Sequence, residues 1–499
     1  MSEIRVTYSG LISLLIGLST AITGLVFVLI TTRSLTPEEL GTWGLIGALL
    51  TYALLIEPMI SYWTTREVAR GQKSGKTAVL TSGSFSLVGI LVYIIITYFV
   101  GLQPNVDADI LLFAFFMIPL MFLNRTITSI CIGWKTHLSS YGIITFDIVK
   151  IPAALFFIYH LDMGVSGAIL SLAVSYVASI IVLTIFARSK LKGKIKREYV
   201  AKWLKLFWLP TYIKFETLAV FDVLIFSLIT GSIFGISYWV ASSTVSTLLK
   251  HTGQLTKAVY PKLLSGGKKE HLQDNLSRLL YFAFPFSAIS ITFARPTLFA
   301  LNPEYEIAFM VVIILTIRAF VKIVSTTFRQ SLLGIENVDV DKKSTYKDYL
   351  KSKLFHIPTV RIIQRGIYLG TLAVGLLILI QITESQLDLV TYWAISALVV
   401  EVPFLIYFWI MAKRNFPLKV GKTNILKYLF ISIGAFGFTY LVTEKFLVYN
   451  ESIFIFLPNL LGFIVIGIGI YAGITYLVDK KTRVLVKAVI NEIVKKKQK

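Results

Sequence analysis

Several ionisable side chains lie within stretches of sequence that are otherwise apolar, and they are the positions at which chemistry could occur. An ionisable group in hydrocarbon is strongly unfavourable, so those that persist there usually face a charged partner or a water-filled cavity. Each is therefore a candidate for binding a charged substrate or for pairing two helices. These side chains are Glu57, Arg125, Asp147, Lys150, Lys214, Glu216, Asp222, Arg318, Lys322 and Glu401.

The most informative arrangement is a row of polar side chains in the apolar stretch 306–333. Its members are Arg318, Lys322, Ser325 and Arg329. This spacing puts them on one face of a helix. Three cations facing lipid would be unfavourable, so the row predicts an aqueous cavity, and it suits an anionic substrate such as a phosphate. Under the alternative, the cations pair with acids and only hold helices together. Those acids would be Glu57, Asp222 and Glu401.

The intramembrane charges divide into two groups by sign. Asp147 and Lys150 are spaced so that they can pair along one helix face. For each single charge, a structural ion pair is the alternative to contact with a substrate. The candidate substrate-binding cations are Arg318, Lys322, Lys150, Arg329, Arg125, Arg33 and Lys214. The candidate charge partners or coupling residues are Glu57, Asp147, Asp222 and Glu401.

The residue types needed for enzymatic chemistry are sparse. Five histidines are scattered and there is one cysteine, so we predict no catalytic residue, no metal site and no cofactor. The segment GQKSGKT (71–77) approaches a phosphate-binding loop, but Arg70 stands where its first glycine belongs and an apolar helix precedes it. Asp107 and Asp109, in a predicted external loop, are the paired acids that a membrane glycosyltransferase could use, with a solvated loop as the alternative.

The elements that position these charges are apolar helices. The chain has 499 residues, 56% of them hydrophobic, and a mean hydropathy of +0.75. Runs of about 20 apolar residues, long enough to cross a hydrocarbon core, recur along it. We predict an all-α polytopic membrane protein with about fourteen transmembrane helices. The predicted spans are 8–30, 41–63, 77–100, 108–131, 141–160, 164–187, 206–229, 232–250, 276–299, 306–333, 358–382, 388–411, 425–446 and 452–478.

The basic residues orient these spans. Most of the 49 Lys and Arg residues lie in connecting segments on one predicted side, whereas the other side has only Arg33, Arg295 and Lys445. Because cytoplasmic loops collect Lys and Arg, the basic side and both termini are predicted to be cytoplasmic. This placement explains the net charge of +22 without a nucleic-acid partner. The tail 479–499 is predicted to form a surface helix on the anionic inner leaflet, or else to be disordered.

The opening of the chain closely resembles that of the polysaccharide-transporter flippases. A first helix ends in Arg33, a Leu-x-Pro-Glu-Glu-x-Gly turn follows at 35–41, and the second helix ends in the pair Arg66-Glu67. The stretch FDVLIFSLITGSIFGISYWVASSTVSTLL (221–249) is similar to the seventh and eighth helices of that family, and RQSLLGIENVD (329–339) to the end of its tenth. One departure is Glu57-Pro58-Met59 within the second span, where the proline predicts a kink.

The resemblance implies the fold of the multidrug/oligosaccharidyl-lipid/polysaccharide exporter superfamily. Gly41-Thr-Trp43 and Gly235-Ile-Ser-Tyr238 each open an even-numbered helix after a short external turn, as expected for two similar six-helix bundles. We therefore expect two six-helix bundles plus a C-terminal helix pair. The expected divisions are 1–205 and 206–422 for the bundles, 423–478 for the additional pair, and 479–499 for the basic tail.

The function that the resemblance implies is that of a non-enzymatic flippase in the cell membrane. Its substrate would be a polyprenyl phosphate or pyrophosphate that carries a glycan for polysaccharide or glycoprotein biosynthesis. Membrane lipids and glycan-assembly enzymes are the further partners to expect, and the protein would act as a monomer. The alternatives are a small-molecule or drug exporter of the same superfamily, which for cationic drugs should have an acidic cavity, and a membrane glycosyltransferase.

The predicted orientation can be tested with alkaline phosphatase, which is active only outside the cytoplasm. A reporter fused after residue 195 should be inactive because the basic loop 188–205 is cytoplasmic, and one fused after residue 385 should be active. The comparison is made at equal expression of the two fusions. Activity at 195, or none at 385, would contradict this topology.

Overall fold

The computed structural model of the chain describes residues 23–69, 71–102, 107–134, 137–205, 221–249, 271–336, 346–416 and 422–479, with single residues at 20, 207, 252, 338, 482 and 483. Within those ranges every regular element is helical. The all-α polytopic class is therefore confirmed. Span 8–30 is described only in part, and most of the tail 479–499 lies outside the described residues.

Helices of membrane-spanning length account for most of the predicted spans. In the part of the chain that is described, nine helices are long and apolar enough to cross a membrane, or eleven if each of two bent pairs counts as one span. The remaining three predicted spans are represented by shorter helices. These are Thr23–Ser34 and Phe221–Thr230, and Phe234–Thr247.

The helices form two compact units, and the larger contains the described residues between 15 and 244 and between 338 and 400. Its helices are α1 (Thr23–Ser34), α2 (Pro37–Ala53), α3 (Pro58–Ala69), α4 (Gly75–Gly101), α5 (Ala108–Phe113), α6 (Met117–Trp134), α7 (His137–Ala154), α8 (Gly164–Ala187), α9 (Arg197–Lys205), α10 (Phe221–Thr230), most of α11 (Phe234–Thr247), α15 (Tyr346–Lys351), α16 (Lys353–Leu379) and the first half of α17 (Gln386–Asn415). A 3₁₀ turn joins α5 to α6, and a π-helical turn, Leu155–His160, extends α7.

The smaller unit contains the described residues between 245 and 337 and those from 401 onwards. Its helices are α12 (His271–Thr292), α13 (Ala294–Leu301), α14 (Phe309–Gly334), the second half of α17, α18 (Lys422–Phe446) and α19 (Ile453–Val478). The boundary between the units falls inside α11 and α17. The division of the sequence at 205/206 and 422/423 stays a prediction.

The turn at 35–41 folds as a helix start for identifiable reasons. Thr36 accepts a hydrogen bond from the backbone N–H of Glu39 (3.2 Å), and the Glu39 carboxylate accepts one from the backbone N–H of Thr36 (2.9 Å). This reciprocal capping box satisfies two amides that a helix start leaves without partners. Pro37 occupies the first helical position, where its missing N–H does no harm. The sequence signature of this turn is therefore a capping signature.

The second predicted span is broken at the position of the proline. α2 ends at Ala53, α3 begins at Pro58, and the two helices are bent by 60°. Proline lacks the N–H that would continue the hydrogen-bond ladder of α2, and its ring clashes with the preceding turn. The predicted kink is confirmed. It places Glu57, which is 2% exposed, at the break itself.

Two glycines allow α2 to approach the start of α11 closely. A Cβ atom at Gly41 would collide with the backbone carbonyl of Ile233, and one at Gly44 would lie 2.6 Å from a methyl carbon of Val240. Gly47, on the same helix, has no heavy atom within 4 Å of the corresponding position. The contact therefore requires glycine at 41 because the atom facing it belongs to the backbone, which cannot rotate away.

Asp479, which follows α19, connects the end of that helix to α18. Its carboxylate accepts hydrogen bonds from Lys427 (2.7 Å), the Tyr428 hydroxyl (2.8 Å) and the Thr482 hydroxyl (2.9 Å). Burial alone would raise the pKa of this carboxyl, but the hydrogen bonds outweigh burial and lower the pKa to about 2. Because the pKa is depressed, the stabilisation is fully present above the ordinary aspartate pKa and is lost as pH falls through about 2.

Substitution of Gly41 tests the close approach of α2 and α11. Gly41→Ala should destabilise the folded protein by about 1–3 kcal/mol because the new methyl group meets a backbone carbonyl. The matched control is Gly47→Ala, which fills open space on the same helix and should be neutral or slightly stabilising. The measurement is thermal unfolding in detergent; equal melting temperatures for the two variants would show that the approach is not close.

Candidate functional site

The row of polar side chains predicted between 306 and 333 lies on α14, which is one continuous helix. Arg318 and Lys322 are partly exposed, whereas Ser325 and Arg329 are buried. One guanidinium nitrogen of Arg329 donates to the hydroxyl of Thr326 on the same helix (2.9 Å). The helix thus carries two partly exposed cations and one buried cation. That the row faces an aqueous cavity stays a prediction.

A second group of buried polar side chains lies on α16, and sequence reasoning missed it. Arg361, Gln364 and Arg365 are 1%, 1% and 3% exposed. Arg361 donates a hydrogen bond to the side-chain oxygen of Gln364. The two arginines were not predicted as site residues because they lie near the predicted cytoplasmic end of span 358–382, where basic residues are expected. Their spacing of four residues within an apolar stretch, with Gln364 between them, was the available signal.

Glu57 and Arg125 lie close together on the larger unit. A guanidinium nitrogen of Arg125, on α6, is 3.5 Å from Glu57 at the break between α2 and α3. The Glu57 side chain is 3% exposed and that of Arg125 is 42% exposed. The charge of the carboxylate is therefore buried beside a cation that is only partly covered by the protein. Arg125 is therefore both in contact with a buried acid and partly exposed.

The pair predicted within α7 is present in the structure. The ammonium group of Lys150 is 3.1 Å from a carboxylate oxygen of Asp147, and both side chains are about nine-tenths buried. The ammonium group also lies 5.5 Å from the ring centroids of Phe27 and Phe146, within the range of a cation–π interaction. Carboxylate and rings together satisfy a buried cation. The predicted pairing is confirmed, and this environment favours a structural role for Lys150.

Asp222 is held by a chain of buried hydrogen bonds. The Tyr368 hydroxyl donates to Asp222 (2.7 Å) and accepts from the indole N–H of Trp393 (2.8 Å). The Trp393 ring is stacked on Trp239, with centroids 3.8 Å apart and planes 3° apart. The Asp222 carboxylate therefore accepts a hydrogen bond from a neutral donor. The network links α10, α11, α16 and α17 in the larger unit.

The remaining predicted site residues are placed individually. Glu401, on α17, is 1% exposed, and Arg33, at the end of α1, is partly buried. Lys214 lies outside the described residues. Asp107 accepts hydrogen bonds from the backbone N–H groups of Asp109 and Ile110 (3.0 and 3.2 Å), so it caps the start of α5. This is a structural role for the acid that the glycosyltransferase alternative would require.

Charged side chains in the described part of the membrane helices occur in two arrangements. Three of the predicted acids contact a donor that the structure identifies, namely Arg125 for Glu57, Lys150 for Asp147 and Tyr368 for Asp222. Five further bases are grouped on two helices, Arg318, Lys322 and Arg329 on α14 and Arg361 and Arg365 on α16. A row of guanidinium or ammonium groups on one helix can present several donors to one ligand. The chemistry that such a row supports is recognition of an anion.

Similarity to known proteins is found only by comparison with solved structures. No protein-family profile matches the sequence, and no curated protein matches it. A multidrug resistance transporter of the MATE family, a member of the MOP superfamily in an inward-facing conformation, is similar with a TM-score of 0.60 and 11% identity, over 80% of this chain and 98% of its own.

Two further solved structures extend this likeness. The lipid II flippase MurJ in an inward closed conformation is similar with a TM-score of 0.62 and 15% identity, over 94% of this chain and 99% of its own. A MATE transporter in its straight conformation has a TM-score of 0.52 and 15% identity, over 81% of this chain and 94% of its own. The chain therefore shares the polytopic helical fold of these three structures.

Removal of one hydroxyl tests the network around Asp222. Tyr368→Phe should destabilise the protein by about 2–4 kcal/mol, because it leaves both the Asp222 carboxylate and the Trp393 N–H without this partner. The control is Tyr159→Phe, which removes a hydroxyl from a ring that is 76% exposed and should have no effect. The measurement is thermal unfolding in detergent. Equal stability of the two variants would show that the network does not hold Asp222.

Proposed function

We propose that this protein is a flippase that moves a lipid-linked oligosaccharide, a polyprenyl phosphate or pyrophosphate bearing a glycan, from the cytoplasmic to the external leaflet of the cell membrane. The flippase would work by alternating access, as the inverted halves of many transporters do. The lipid-linked glycan is its substrate, glycan-assembly enzymes and membrane lipids are its other partners, and the working form is a monomer.

The row on α14 is the observation that carries this proposal. Arg318, Lys322 and Arg329 share one face of a helix that is long and apolar enough to span a membrane. Charges at such positions are unfavourable in lipid and are usually kept for a functional reason. A phosphate or pyrophosphate supplies the oxygens that guanidinium groups bind in a forked geometry. The anionic end of the substrate thus explains why cations occupy this helix.

The arginines of α16 support the same class of substrate from a second element. Arg361 and Arg365 are almost fully buried in another helix of membrane-spanning length. Arg125, whose side chain is 42% exposed, is a further intramembrane base. An anion is the natural ligand of such groups. A cationic substrate would be repelled by this distribution.

The alternative is a small-molecule or drug exporter, for which the similarity to MATE transporters is the supporting observation. Two features favour the flippase. A site for cationic drugs should expose acids, yet Asp147 and Asp222 are buried against Lys150 and Tyr368. The match to the lipid II flippase covers 94% of the chain, so it includes at least part of the C-terminal helix pair. The matches to MATE transporters cover 80–81%.

The membrane potential is a sufficient source of energy for such a substrate. An inside-negative potential favours outward movement of an anion by about 2.3 kcal/mol per elementary charge per 100 mV. A pyrophosphate that carries more than one negative charge is biased accordingly. The proposal therefore needs no nucleotide hydrolysis, in keeping with the rejection of the loop at 71–77 as a phosphate-binding motif.

Substitution of Arg318 tests the contact between the row and the phosphate. In proteoliposomes that contain a polyprenyl pyrophosphate with a short labelled glycan, Arg318→Ala should lower the rate of flipping about tenfold or more, without loss of thermal stability. Arg318→Lys should be intermediate, because lysine keeps the charge but cannot make the forked contact. Lys347→Ala, which removes an exposed cation outside the membrane helices, is the matched control and should leave flipping unchanged.

The competing explanation, a structural ion pair, makes the opposite prediction. Arg318→Ala would then lower stability, and neutralising the right acid as well would restore both stability and flipping. The acids to combine with it are Glu57, Asp222 and Glu401. Full rescue of flipping by any double variant would refute the contact with substrate, and efflux of a cationic dye without flipping would favour the drug exporter.

A further inference from the structure

The segment that follows α8 has a fixed position on the larger unit. Residues 188–205, which we name the connector, link α8 to the predicted seventh span and end in the short helix α9. The sequence of the connector is rich in lysine and arginine, and Glu198 is its one acidic residue. Such a segment could have been a solvated loop. The contacts that it makes show otherwise.

A buried tryptophan anchors the end of the connector. Trp203 is fully buried, and its indole N–H donates to a carboxylate oxygen of Glu67 (3.2 Å). The ammonium group of Lys202 lies 3.2 Å from the same oxygen. Glu67 is 1% exposed and belongs to the end of α3. The Arg66-Glu67 pair noted in the sequence therefore includes the acid that holds α9 in place.

The first part of the connector rests on the start of α4. The backbone N–H of Lys196 donates to the Thr77 hydroxyl (3.1 Å). A Cβ atom at Gly75 would lie 2.6 Å from the carbonyl oxygen of Lys190, so the two backbones are in close contact. These contacts, with those of Trp203, fix both ends of the connector and therefore determine which of its side chains point away from the protein.

The outward side chains combine positive charge with apolar groups. Ile195 is 55% exposed and Leu204 is 47% exposed. Besides Lys202, which contacts Glu67, the exposed cations around them are Arg188, Lys192, Lys194, Lys196, Arg197 and Lys205. Apolar side chains ringed by lysine and arginine are the composition of protein segments that lie in the headgroup region of an anionic membrane.

The level of the connector relative to the membrane matches this composition. α8 ends at Ala187 and α4 begins at Gly75, and both helices have membrane-spanning length. Because the connector follows α8 directly and contacts the first residue of α4, it lies where these helices leave the hydrocarbon. Long basic side chains at that level can reach the phosphates while Ile195 and Leu204 remain in the acyl boundary.

We propose that the connector is a binding surface for anionic phospholipid headgroups, held in its orientation by Trp203 and Glu67. The partner is the lipid surface on which the connector lies, and it is distinct from the transported substrate. The charge of the connector is complementary to that surface. The exposed apolar side chains distinguish a lipid surface from a nucleic acid, which has no apolar layer to receive them.

A fluorophore on the connector can report which lipids lie next to it. Ile195→Cys is labelled, with the buried Cys131 left in place, and the protein is reconstituted in vesicles that contain brominated phosphatidylglycerol or brominated phosphatidylcholine at the same mole fraction. The brominated anionic lipid should quench the fluorophore at least twofold more strongly at low salt, and high salt should reduce this preference.

A charge-neutralised variant and a matched control identify the cause of the preference. Lys192→Gln with Lys194→Gln should bring the quenching by the two lipids close to parity. Lys347→Gln with Lys351→Gln, which removes two exposed lysines from a different segment, should leave the preference unchanged. Equal quenching in the starting protein, or a preference that survives loss of Lys192 and Lys194, would overturn the proposal.

A second measurement uses the protein without any substitution. Trypsin should cut after Lys192 and Lys194 several-fold more slowly in nanodiscs of phosphatidylglycerol than in nanodiscs of phosphatidylcholine, because bound headgroups cover these lysines. Equal cleavage rates would contradict the proposal even if the labelled variant failed to fold. Neither measurement depends on transport, so the connector can be tested independently of the proposed flippase function.

Discussion

Hydrocarbon cannot hydrogen-bond to a charged side chain, and most polar contacts described above are arranged around that constraint. Glu57 is placed beside Arg125, Asp147 beside Lys150, and Asp222 receives a hydroxyl hydrogen bond from Tyr368. All three contacts lie in the larger unit, and those of Glu57 and Asp222 join different elements, so they couple an unfavourable burial to a particular arrangement of helices. The same constraint gives meaning to the rows on α14 and α16, because cations gathered on one helix require a ligand, water or a counter-charge in the folded protein.

The sequence was most informative where the interaction is local. The break at Pro58 and the pair of Asp147 with Lys150 each depend on residues a few positions apart, and residue type and spacing predicted both. The network of Asp222, Tyr368 and Trp393 joins residues that are distant in sequence. Hydropathy indicates that these residues are buried but contains no information about which of them meet.

The candidate site shows the same division. The row on α14 was predictable because its residues share one helix, and the helix is continuous as expected. Arg361 and Arg365 were missed because basic residues near the cytoplasmic end of a span are ordinary, and their burial is evident only in the structure. Glu67 was noted as part of a motif, but its contact with Trp203 could not be inferred from spacing, since the two side chains belong to different helices.

The break between α2 and α3 has a mechanical consequence. α3 has 12 residues, so it is a rod about 18 Å long at the usual helical rise. A pivot of about 10° at the break would displace its far end by roughly 3 Å, a distance comparable to the length of the hydrogen bond between Glu67 and Trp203. The break and that hydrogen bond lie at opposite ends of α3. A small rotation at the break, beside the buried carboxylate of Glu57, would therefore either move the Trp203 indole or break its hydrogen bond.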